Sequence, residues 1–237
     1  MKLIEKYLNK IDLENIKICG GFNYLNPFIK DVALKNVNEL SFNSLYPNII
    51  CGIVEAGLHN NLKDVEPPPG FPTTSGIIKK LVEFKEKFEA FQRNRVDLKK
   101  NSPYRYAEIK AEINKFYGEL YYMFPNDKKN YAFIVTEYLK NYYEDLLECN
   151  PNTILYIDTD TIYYTGEINL LDFNIPFEIE NIDYIMFSDK KKYAMSKNNI
   201  MVTKGYHKNK GAQDAIIFLK KHIRNDKLED LLKDQEI

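Results

Sequence analysis

Asp158 and Asp160 flank a single threonine in the run Tyr156-Ile157-Asp158-Thr159-Asp160-Thr161. Apolar runs on both sides, Thr153 to Ile157 and Ile162 to Tyr164, predict a β-hairpin with the two carboxylates at its polar tip. Two carboxylates this close, facing outward, repel one another unless a cation neutralises them. Mg²⁺ suits such a pair, with Mn²⁺ as the alternative. It takes carboxylate oxygens and completes its shell with water and phosphate oxygens. Asp-Thr-Asp alone is also ordinary turn chemistry.

Three further segments carry groups that bind phosphates. Ser41-Phe42-Asn43-Ser44-Leu45-Tyr46-Pro47 predicts a strand running into a helix start, where the N–H groups around Ser44, Leu45 and Tyr46 favour a triphosphate. Lys110, Asn114 and Tyr117 recur at helical spacing and share one stripe, while Arg93, Arg95, Lys99 and Lys100 lie on the preceding helix. Ser188-Asp189-Lys190-Lys191-Lys192-Tyr193 places lysines beside a tyrosine at a strand start, which suits duplex phosphates. Each has a plain structural reading too: a strand-to-helix turn, a solvated helix face, a soluble lysine run.

The elements that must position these groups follow from periodicity. A strand is expected over Asn36 to Phe42 and a helix after Pro47, with Ile49, Ile50, Ile53 and Val54 as its apolar face. A loop is expected from His59 to Ser75, carrying Pro67-Pro68-Pro69-Gly70 and Pro72. Two long helices, Gly76 to Lys100 and Pro103 to Met123, are joined by Asn101-Ser102 into an antiparallel hairpin. A third helix runs from Tyr131 to Glu148, followed by the Asp158 hairpin. Strands at Tyr184 to Phe187 and Tyr193 to Val202, turning at Asn198-Asn199, precede a helix over Ala212 to Ile223. That order predicts an α+β fold, an antiparallel sheet interrupted by a helical hairpin.

Composition narrows the setting. The chain has 237 residues and a formal charge of -1, yet Lys190 to Arg224 is strongly basic and Tyr131 to Asp183 acidic. Cys19, Cys51 and Cys149 have neither metal-ligand spacing nor the even number of a disulfide framework. The expectation is a reducing, intracellular and cytoplasmic setting, with no membrane span. His59, His207 and His222 are scattered and predict no ligand set.

Taken in order, the four segments resemble the motifs of family B DNA polymerases. Ser41 to Pro47 is similar to motif A (Asp-x-x-Ser-Leu-Tyr-Pro), and Lys110 to Gly118 to motif B (Lys-x-x-x-Asn-Ser-x-Tyr-Gly). Asp158-Thr159-Asp160 resembles motif C, and Lys191-Lys192-Tyr193 falls in the Lys-Lys-x-Tyr motif. Gly20-Gly21-Phe22 with Pro27 resembles the segment entering that family's palm, and Lys204-Gly205-Tyr206 the strand before its thumb.

The resemblance implies a polymerase-type palm with an antiparallel sheet and a fingers hairpin. It divides the chain into 1–75 (N-terminal segment and first part of the palm), 76–125 (fingers), 126–204 (second part of the palm) and 205–237 (thumb remnant). It implies template-directed DNA synthesis on primer–template DNA from deoxynucleoside triphosphates. Asp160 would be the main metal ligand and Asp158 the second. Lys110 and Asn114 would face the triphosphate, Tyr46 would exclude a 2′-hydroxyl, and Lys190, Lys191, Lys192 and Tyr193 would hold DNA.

The chain departs from the pattern at Ser41, where the family carries an aspartate, and at Lys115, where it carries serine. A hydroxyl is neutral and a poor Mg²⁺ ligand, so its presence predicts a loss of roughly a thousandfold or more in rate. Glu39, two residues back on the same strand face, is the candidate auxiliary ligand. Its displacement of about 6–7 Å along the strand argues against full rescue. About forty residues precede Ser41, too few for a proofreading exonuclease. The expectation is therefore a minimal or split polymerase, with exonuclease and thumb on a separate subunit, or a catalytically inactive relative that binds primer–template DNA or a replication partner. The AT-rich codon bias implied by abundant Tyr, Asn, Ile and Lys fits a viral or mobile-element origin.

Overall fold

The structure, a computed structural model, describes residues 6–7, 11, 21–57, 73–123, 131–171, 173, 175–206 and 210–233. Of the expected loop over 59–75, residues 59–72 lie outside the described residues, as do Cys19, Gly20, His207 and Lys208, whereas Thr74 and Ser75 already belong to a helix that Thr73 caps. The described chain forms two compact units: Met1–Gly20, Ser44–Asp145 and Asp172–Ile175 make one, and Gly21–Asn43, Leu146–Leu171 and Pro176–Ile237 the other.

The first unit is helical. Helix α1 (Leu45–Glu55) starts from Ser44, whose φ of 53° is left-handed and breaks the preceding strand. Pro47 in the first turn has no N–H to leave unbonded. Ile49, Ile50, Ile53 and Val54 are buried, as their spacing predicts. Helix α2 (Thr74–Asn101) is capped by the Thr73 hydroxyl, which accepts from the Gly76 N–H at 3.3 Å. At its far end Ser102 breaks the helix and Pro103 starts α3 (Pro103–Met123), so the chain reverses. The pair is cemented by the Phe84–Phe116 stack, centroids 4.1 Å apart, and by Phe91 against Tyr106. Helix α4 (Tyr131–Cys149) follows, and its last turn passes into the second unit. In the first unit Tyr138 and Tyr142 of α4 pack edge-on against Tyr7.

The second unit is a seven-stranded sheet, every neighbour antiparallel, in the order β1-β3-β4-β2-β5-β6-β7. The strands are β1 (Asn23–Leu25), β2 (Ala33–Phe42), β3 (Ile154–Asp158), β4 (Thr161–Tyr164), β5 (Phe177–Asp189), β6 (Lys192–Lys197) and β7 (Ile200–Lys204). Asn198 and Asn199, both at positive φ, turn β6 into β7, a conformation asparagine adopts cheaply. Asn36, φ 54°, sits inside β2 and resets its alternation. Leu34 and Val37, three apart, therefore face the same apolar cluster.

The sheet is rolled. β3 and β7 are five strand spacings apart, about 24 Å if flat. Yet Lys204 on β7 reaches Asp158 on β3 at 2.7 Å, and the Lys191 N–H donates to the Tyr156 hydroxyl at 2.6 Å. The space inside the roll is filled by rings: Tyr156, Tyr163, Phe187 and Tyr193 pack with centroids 5.0–6.1 Å apart. On the outer face α5 (Lys210–Lys233) lays Ala215 and Leu219 on Met186 and Ala194. Among the described residues no helix is long and apolar enough to cross a membrane.

Candidate functional site

In the second unit, the hairpin tip and the end of β2 lie side by side. Thr161 pairs with both Asp158 and Ser41, and the Phe42 N–H donates to the Asp160 carbonyl at 2.8 Å. Residues directly opposite in an antiparallel ladder share a face, so Ser41, Thr161 and Asp158 line one side of the sheet across three strands. The Ser41 and Thr161 hydroxyls are 3.4 Å apart. Thr159 at the tip has φ 61°, and its N–H donates to the Phe22 carbonyl. Gly21 is needed there: a Cβ on it would lie 2.3 Å from the Thr159 Oγ1.

The two carboxylates differ. Asp158 is 7 % exposed and its Oδ2 accepts from the Lys204 ammonium at 2.7 Å. Asp160 stands at the exposed rim, with the Thr161 hydroxyl 3.4 Å from its Oδ1. Partial burial among the strands, with the Asp158 charge beside it, nevertheless raises its pKa above the ordinary carboxylate value. The backbone and Lys204 oppose that rise. Burial pulls the Lys204 pKa down, but its hydrogen bond to Asp158 and the charge beside it outweigh this, so the ammonium is held above its usual value.

This donor set sets a limit on a metal. Asp160 stands beside a second carboxylate, and paired negative charge of this kind is the electrostatic demand a divalent cation meets. Asp160 and Asp158 are the residues that would hold an ion, with Lys204 already offsetting one of their charges and Ser41 adding none. Among the described residues no group of three or more His, Cys, Asp or Glu side chains could hold a metal. Glu39 does not supply the third: Lys197 pairs with its Oε2 at 3.3 Å, and the Tyr163 hydroxyl donates to its Oε1 at 3.2 Å. Glu178 faces Ser41 on β5, and its Oε1 accepts from the Asn43 side chain at 3.4 Å.

The other expected residues fall in two places. In the first unit, Lys110 and Asn114 are exposed on α3, whereas Tyr117 turns inward. Its ring packs on Tyr46 at 4.6 Å, its hydroxyl donates to the Ala132 carbonyl, and burial pushes its pKa up to about 12. Ser44 gives its carbonyl to the Asn48 N–H and side chain, Leu45 is buried, and Lys115 pairs with Glu119. In the second unit, Lys190 and Lys191 are exposed at the β5–β6 turn, and Lys192 lies over the Tyr206 ring. Tyr193 is buried in the aromatic roll, its hydroxyl 3.0 Å from that of Tyr163. A ring enclosed on all sides shapes the strand that carries the lysines rather than touching a ligand. Sequence reasoning missed the Asp158 partner, since Lys204 is 46 residues away. Only the sheet's roll joins them.

No protein-family model and no curated protein matches the sequence. Solved structures do. The family B DNA polymerase of the hyperthermophilic archaeon Pyrobaculum calidifontis aligns over 99% of this chain and 38% of its own, at 17% identity and a TM-score of 0.51. Phi29 DNA polymerase in an orthorhombic crystal aligns over 89% of this chain and 56% of its own, at 12% identity and 0.54. The phi29 enzyme with primer-template DNA and incoming nucleotides aligns over 90% and 60%, at 11% and 0.53. The chain thus spans 38–60% of the polymerases it matches. Identities this low show the fold, a polymerase-like α+β fold, which is the class the sequence predicts.

Proposed function

We propose that this chain carries a family B-like DNA polymerase unit that binds primer–template DNA and supports slow nucleotidyl transfer at Asp158 and Asp160. The observation that carries the reading is the ladder Ser41–Thr161–Asp158, which joins the motif A and motif C segments on one sheet face. On this reading the rolled sheet is the palm, the α2–α3 pair the fingers and α5 the thumb remnant. Lys190, Lys191 and Lys192 bind backbone phosphates, and Tyr193 positions their strand. Lys110 and Asn114 present an ammonium and an amide to the triphosphate, with Tyr46 and Tyr117 packed behind. Asp160, with Asp158, would hold one Mg²⁺ or Mn²⁺, which when bound supplies charge neutralisation for phosphoryl transfer. Ser41 holds no charge, and that is the source of the slowness.

The Lys204–Asp158 ion pair supports a second reading, DNA binding without synthesis. An extension assay on labelled primer–template with Mg²⁺ and with Mn²⁺ separates the two. Slow extension abolished by Asp160→Ala is the expected result. Tight, salt-sensitive DNA binding with no extension in either metal would favour the second reading. Absence of DNA binding would overturn both.

A further inference from the structure

Lys204 is the last residue of β7, and its ammonium crosses the mouth of the rolled sheet to Asp158 at 2.7 Å. Three features fix it there. The Tyr193 ring lies under its path, with Nζ 5.7 Å from the centroid. Gly205 follows at φ +76°, and a Cβ on it would stand 1.9 Å from the Lys191 carbonyl oxygen, so only glycine lets the strand end this close to the β5–β6 turn. Asp158, 7 % exposed, needs a cation for its charge, while half of the Lys204 side chain remains in solvent. An ammonium with one side in water leaves its carboxylate more readily than one sealed inside.

We propose that Lys204 is a built-in counter-cation of the carboxylate pair, which competes with a divalent ion for Asp158 and thereby weakens metal binding at the tip. This deepens the reading of the Asp158–Asp160 tip given above and rests on it for the choice of ion. It makes Lys204 a positioning residue. With a divalent ion absent, it neutralises Asp158 and holds β7 against β3. With one present, two cations seek the same carboxylate, and their mutual repulsion appears as lost metal affinity.

The test uses the full chain, Mn²⁺ as the probe and no DNA or nucleotide, so failure of polymerisation leaves it intact. Free Mn²⁺ is counted by electron paramagnetic resonance, and melting is followed by circular dichroism in chelator and in Mn²⁺. Lys204→Met is expected to bind Mn²⁺ at least about tenfold more tightly than the wild type. It should melt at a lower temperature in chelator and recover on adding Mn²⁺. Adding Asp158→Asn to Lys204→Met should erase the gain, and Lys204→Arg should bind like the wild type. Lys204→Gln, which keeps length and polarity, reads the same gain where Lys204→Met does not fold. Mn²⁺ affinity equal to or below the wild type in either folded variant would overturn the proposal. So would loss of fold in both that Mn²⁺ does not restore.

Discussion

The hydroxyl of Tyr163 sits between the Glu39 carboxylate at 3.2 Å and the Tyr193 hydroxyl at 3.0 Å, and its side chain is almost fully buried. A phenol has one proton; with the carboxylate accepting it, Tyr193 supplies the proton of the other bond. Removing this hydroxyl leaves one of two buried groups unsatisfied while Lys197 still neutralises Glu39. Tyr163→Phe should therefore cost about 1–3 kcal/mol in urea unfolding, without freeing Glu39 to serve a metal. Cysteines give a second contrast at this scale. Burial, first, then the nearby Glu89 and Glu55 charges, push the Cys51 pKa up to about 12 against the pull of Lys85, whereas Cys149 is exposed. Native protein at mildly alkaline pH should show alkylation of Cys149 and none of Cys51, read by peptide mass spectrometry. Modification of Cys51 at a comparable rate would contradict the packing of α1.

At the scale of elements, two glycines differ in what surrounds them. Gly118 in α3 has open space where a Cβ would go, so Gly118→Ala should stabilise by about 0.5–1 kcal/mol through helix propensity. Gly205→Ala must move backbone and force a left-handed alanine, so it should destabilise by more than that and loosen the Lys204 contact. Paired thermal melts compare them directly. The α2–α3 hairpin was legible because Phe84, Phe88 and Phe91 keep helical spacing and Ser102-Pro103 signals a stop and a start. The Asp158 hairpin and the Asn198-Asn199 turn were legible for the same local reasons. The first half of β5 was not expected, although Phe177 and Ile179 alternate with Glu178 and Glu180. It is exposed, and its strand character comes from pairing with β2, a long-range partner that a local pattern does not reveal. β1, three residues long, depends in the same way on β3. Tyr193 reads as a surface residue beside three lysines, yet the roll of the sheet encloses it.

At the scale of the whole molecule, acidic groups that must stay protonated accumulate in the interior. Burial pushes Tyr117 and Tyr156 up to about 12, and holds Tyr138, Tyr142 and Tyr163 well above the usual phenol range. Unfolded tyrosine releases its proton near pH 10 and cysteine somewhat lower. Above that range the unfolded chain binds fewer protons than the folded one, so stability is full below it and falls as pH rises. Both units hold such groups, so the part of the tyrosinate absorbance that the buried phenols contribute should appear only with loss of helix and strand signal. Complete titration of the tyrosines with the fold intact would contradict the burial described.

The ladder seats Ser41 across Thr161 from Asp158, and on the function proposed above its hydroxyl stands where a carboxylate would complete the site. Single-turnover primer extension in Mg²⁺, wild type against Ser41→Asp, tests it most directly. Ser41→Asp should extend roughly a thousandfold faster, and adding Asp160→Ala should remove the gain. A Ser41→Asp variant that folds, binds primer–template DNA and extends no faster than the wild type would contradict it.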